Sequence, residues 1–133
     1  MAKKKKKKEA APTACEQGGP ELLPVEVRIR QGEVVTFTIH VCRTNADVDA
    51  SLQAIPNGAV QQLFATSGQA VSRADLPALP VGRYALFWSI LTAATPWQTR
   101  ADLVVSGTTR FLRRKSNASA HPVNMGFLII EVV

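Results

Sequence analysis

Histidine, tyrosine and cysteine are scarce in this chain of 133 residues: it has two His, one Tyr and two Cys. That scarcity excludes much chemistry. With only His40 and His121 available, and no Gly-x-Ser-x-Gly elbow, a serine triad has no parts to draw on. Cys42 has no basic neighbour in sequence other than Arg43, so a Cys/His enzyme is not expected either. No Gly-x-x-x-x-Gly-Lys loop or Gly-x-Gly-x-x-Gly turn is present to cradle phosphates. Apolar runs fall short of the ~18 residues that a membrane-spanning helix needs. No amphipathic stretch of helical period stands out, and no internal repeat is visible.

Charge is present, but it is segregated. The formal net charge is +6, with Lys3, Lys4, Lys5, Lys6, Lys7 and Lys8 supplying six of the 16 basic residues. From Pro20 onward ten Lys/Arg face eight Asp/Glu, a net of +2. The excess therefore belongs to the tail, and the rest of the chain has little electrostatic footprint of its own. Residues 1–20 combine the lysine run with Ala, Pro, Gly and Thr and cannot bury enough apolar surface to offset their ordering entropy, so a disordered tail is expected there. No apolar segment follows the lysines as a secretory signal requires; a cytoplasmic location is expected, with non-Sec export left open. Cys15 and Cys42, 27 apart, fit no metal-ligand spacing; free thiols are expected ahead of a disulfide in a reducing compartment.

The remaining residues, 21–133, have a period of two. Val25, Val27 and Ile29 alternate with Glu26, Arg28 and Arg30, and Gln31-Gly32 reads as a hairpin turn into a strand over 33–42. Residues 43–49 look like a polar loop, 51–55 like a short strand ended by Pro56-Asn57-Gly58. Further strands are expected over 60–66, 70–74, 84–91, 97–106, 108–115 and 126–133, with Ser106-Gly107 as a second hairpin turn. The strand over 84–91 is apolar on both faces and is placed centrally. About eight or nine short strands with Gly/Pro turns predict an all-β, antiparallel sandwich, Ig-like or jelly-roll.

Two local patterns resemble known families. Leu79-Pro80-x-Gly82-x-Tyr84-x-Leu86 resembles the tyrosine corner of Ig-like sandwiches, which implies that the Tyr84 hydroxyl ties back to an upstream backbone group. The opening Val25-x-Val27-x-Ile29-x-x-Gly32-Glu33-Val34-Val35-Thr36-Phe37 resembles the first hairpin of cupredoxins, and His40, Cys42, His121 and Met125 make up a blue-copper ligand set. The order departs from that family, because the late loop holding His121 and Met125 has no Cys. No metal and no cofactor are therefore expected.

Candidate binding residues fall into two groups. Trp97, at a loop-to-strand junction, is the aromatic expected to be exposed; with Asn45, Asp47, Asp49, Asn117, His121 and Asn124 in polar loops it could serve a lectin-like carbohydrate site. Trp88 is expected in the core. Arg110, Arg113, Arg114 and Lys115, split between both faces of one strand, could contact an anion, as could Lys3–Lys8, which would dock on nucleic acid or an acidic membrane surface. The leading expectation is a non-enzymatic binding or self-assembly module working through protein–protein contacts. A terminal strand carrying Phe127, Leu128, Ile129, Ile130, Val132 and Val133 must lie inside a sheet or under another subunit, so a homo-oligomer is expected.

Overall fold

Val35, Phe37, Ile39 and Val41 are buried, while the residues between them are only half-buried. The period-two pattern thus becomes a strand with one dry face, and the same rule builds the whole molecule. A computed structural model describes residues 13–116 and 123–133. Nine strands follow in order: β1 (Glu26–Ile29), β2 (Val35–Cys42), β3 (Ala46–Ala54), β4 (Val60–Ser67), β5 (Val71–Asp75), β6 (Gly82–Thr92), β7 (Gln98–Val105), β8 (Thr108–Ser116) and β9 (Val123–Val132). They form two sheets, ordered β1-β9-β6-β3-β4 and β5-β2-β7-β8, which pack as a β-sandwich. The core lies between them. Phe37, Trp88 and Phe111 meet at its centre, with ring centroids 5.0 Å apart for Phe37–Trp88 and 5.6 Å for Trp88–Phe111.

The central placement of the strand over 84–91 holds, since β6 pairs with β3 on one side and β9 on the other. The terminal strand β9 also lies inside its sheet, between β1 and β6. Ser106 (φ 48°) and Gly107 (φ 83°) both take positive φ and close the β7–β8 hairpin, as a two-residue primed turn demands. Tyr84 donates its hydroxyl proton to the Pro80 carbonyl at 2.7 Å, the tie that the corner pattern implied.

Several local expectations are corrected. Gln31-Gly32 does not join a hairpin: β1 pairs parallel with β9 in one sheet, and β2 pairs with β5 and β7 in the other. Both strands point apolar side chains inward (Val27 and Ile29, Val35 and Phe37), so the turn carries the chain across the core to face itself. Residues 46–49 are not loop but the first half of β3, in which Ala46, Val48 and Ala50 face inward between the two aspartates. Trp97 is not exposed; it is 2% accessible and extends the inward series Thr99, Ala101, Leu103 and Val105.

Cys15 and Cys42, expected as free thiols, form a disulfide. Of the segment read as tail, residues 1–12 lie outside the described residues; the remainder is strapped across the outer face of the four-stranded sheet. A 3₁₀ turn, Ala14–Glu16, carries Cys15 to β2. Arg100 donates to the carbonyls of Ala14 and Gln17, and Arg114 to those of Cys15, Gln17 and Gly19. Leu22 and Leu112 exchange two backbone hydrogen bonds, which closes the free edge of β8.

Candidate functional site

The register of the five-stranded sheet decides what its outer face displays. On β9, Asn124, Gly126, Leu128, Ile130 and Val132 face the core, which leaves Val123, Met125, Phe127 and Ile129 outside. Across the ladder Leu91 pairs with Val123, Ser89 with Met125, and Phe87 with Phe127. The result is an apolar stripe along β6 and β9 in which Met125 is 71% and Phe127 61% accessible. On β3, next to the stripe, Asp47 pairs with Leu91, and Asp49 with Ser89. Asp47 accepts from the Ser67 hydroxyl at 2.6 Å, and Asp49 from Gln62 Nε2 at 3.2 Å. These two acids therefore rim an apolar surface.

At the opposite margin the stripe meets the seam between β8 and β9. Ala101 pairs with Arg113, and Thr99 with Lys115; because Ala101 and Thr99 face inward, so do the two cationic stems. They line a narrow crevice together with Trp88, Thr99, Asn124 and Met125. Burial, and then the neighbouring Arg113 charge, push the Lys115 amine below the ordinary lysine range. Asn124 is 8% accessible, and its Nδ2 has no hydrogen-bond partner among the described residues. The structure thus brings together three residues that the sequence placed in two separate candidate groups.

The other candidates do not join them. Arg110 sits at a bulge in the β7–β8 ladder and donates to the Arg28 carbonyl, while Arg114 is committed to the strap. Asn45 precedes β3 and accepts the Ala93 amide at 2.8 Å through its carbonyl. Trp97 is buried and offers no stacking surface to a sugar. Asn117, His121 and Lys3–Lys8 lie outside the described residues. The copper ligand set does not assemble: Cys42 is bonded to Cys15, and His40 and Met125 stand on the outer faces of opposite sheets.

His40 belongs to a second polar cluster, beneath the strap. Its Nε2 lies 4.0 Å from Asp102 Oδ2, which Arg100 Nε contacts at 3.0 Å. Its Nδ1 is buried without a partner among the described residues. Burial first, then the Arg100 charge, hold the imidazole pKa below its ordinary value against the pull of Asp102.

Two features escaped the sequence reading. Apart from the disulfide, Arg100 and Arg114 hold the strap through its backbone carbonyls, which leave no residue signature. The stripe needed the register, because only the pairing of Leu91 with Val123 and Phe87 with Phe127 shows that these apolar groups share one outer face. No protein-family model, curated protein or solved structure matches the chain.

Proposed function

We propose that this protein is a non-enzymatic self-assembly module that docks through the outer face of its five-stranded sheet onto a second copy of the same chain. One observation carries the reading: β9 is paired with β6 along its whole length and with β1 over Ile129–Val132, yet the outer side of the sheet still presents Val123, Met125 and Phe127, joined by Leu91 from β6. An exposed stripe of this kind on a small domain marks a contact surface. A second copy suits it by charge. Asp49, Ser89 and Met125 form one row across β3, β6 and β9, with Lys115 and Arg113 lining the seam beside Met125. A two-fold axis parallel to the strands sets the acidic margin of one copy over the basic margin of the other, so the surface is complementary to itself. The sandwich is read as immunoglobulin-like, supported by the Tyr84–Pro80 tie.

Light scattering on the full chain at tens of micromolar provides the test. The expected result is a mass of at least two chains for the wild type and one chain for Phe127→Lys. A monomeric wild type across that range removes the proposal.

A further inference from the structure

The crevice between β8 and β9 has the chemistry of a ligand site in its own right. Arg113 and Lys115 enter it from adjacent inward positions of β8. Among the described residues the ion pairs are formed by Arg28, His40, Arg83 and Arg100, so neither cation in the crevice has a carboxylate partner. Two like charges brought together raise each other's free energy; burial first, and then the Arg113 charge, lower the Lys115 pKa. Behind them Asn124 lines the same space, and its buried side-chain N–H group has no partner among the described residues. A buried donor without an acceptor forfeits the hydrogen bond it made to water. Two unpaired cations and one orphan donor share a single remedy: an acceptor that carries negative charge.

We infer that the β8–β9 crevice binds a small oxyanion, with one oxygen accepting from Asn124 Nδ2 and the others held by Arg113 and Lys115. The crevice is narrow, so the anion sits at its mouth beside Met125 with one oxygen directed inward. Guanidinium and ammonium donors, with one neutral amide behind them, are a common way of gripping phosphate or carboxylate. The site does not require self-association, although a second copy docked as proposed above would bring its Asp49 carboxylate to the same mouth.

The test uses the full ¹⁵N-labelled chain, titrated with inorganic phosphate at constant ionic strength. The lysines at positions 3–8 will also attract phosphate, so the readout is the side-chain amide of Asn124 and not total binding. The expected result is a saturable shift of that amide with a dissociation constant on the order of millimolar. Lys115→Gln weakens it roughly tenfold. Arg113→Gln combined with Lys115→Gln abolishes it, whereas Arg28→Gln, which removes a cation paired elsewhere with Glu131, leaves it intact. Acetate in place of phosphate tells whether a planar carboxylate is also accepted. An Asn124 amide that moves with neither anion, or moves as far in the double variant, overturns the site. Titration of Asp49→Asn separates the two readings: saturation at lower phosphate means that a second copy competes for the crevice, and an unchanged curve leaves the anion site standing without that contact.

Discussion

Trp88 occupies the space where a side chain at position 126 would be. The two residues pair across β6 and β9, and a Cβ built on Gly126 would come within 2.0 Å of the indole. Glycine inside a strand ordinarily weakens it, so replacing one with alanine usually helps. The sign reverses here, because Phe37 and Phe111 hold the indole from other sides and it cannot retreat. Gly126→Ala is expected to lower unfolding free energy by about 1–3 kcal/mol, measured by urea titration. Tyr84 gives a smaller, independent reading. Tyr84→Phe keeps the ring and loses the bond to Pro80, at a cost of about 1 kcal/mol. Trp88 and Tyr84 were legible from sequence, one through its apolar surroundings and the other through a spaced pattern. Trp97 was not. A tryptophan beside proline at the start of a strand reads as a rim residue, and only the alternation continued from Thr99 and Ala101 turns it inward.

At the scale of elements, strands were legible but, apart from the β7–β8 hairpin, their partners were not. Alternation in β2, β6 and β7 gives each strand its dry face, but nothing local to residues 25–37 distinguishes a hairpin from a crossing between sheets. Both place apolar residues on the core side, and Gly32 (φ 92°) suits either turn. The strap was hidden for another reason: its composition is that of a tail, and a covalent clip plus two arginines hold it in place of an apolar face. Clip and titration make separate predictions. Replacing Cys15 and Cys42 together by serine opens a loop of 27 residues and is expected to cost about 3 kcal/mol, read as a lower urea midpoint. His40 lies in the cluster beneath, facing Arg100 and Asp102 across β7 and Val71 on β5. Its folded pKa is depressed, so the unfolded chain takes up the proton first as pH falls. Stability is therefore unchanged above the unfolded value of about 6.5 and declines as pH drops below it. Glu16, also depressed, acts only in its own window below about 4.5, which keeps the two apart. His40→Gln should flatten the urea midpoint between about pH 7.5 and about pH 5.5 while leaving the acid limb below it.

For the molecule as a whole, the two faces of the sandwich are managed differently. The outer face of the four-stranded sheet is covered in part by its own chain: Cys15 and Leu112 are buried there, and the β8 edge is bridged by Leu22. The outer face of the five-stranded sheet keeps its apolar stripe uncovered in a single copy. Such an asymmetry has a thermodynamic consequence if the stripe is covered by association. A partner that binds the folded chain and not the unfolded one stabilises it by mass action, so the unfolding midpoint depends on concentration. The wild-type thermal midpoint is expected to rise measurably over a hundredfold increase in protein concentration, followed by circular dichroism in cells of matched path and concentration product. Phe127→Lys should remove that rise without lowering the midpoint at the dilute end, because its side chain is exposed in the single copy and contributes little to the core. The cysteine variant should behave in the opposite way, with a lower midpoint at every concentration and the same rise, since the strap lies on the other sheet. A midpoint independent of concentration in the wild type would mean that the stripe stays wet, and the assembly reading would have no support left.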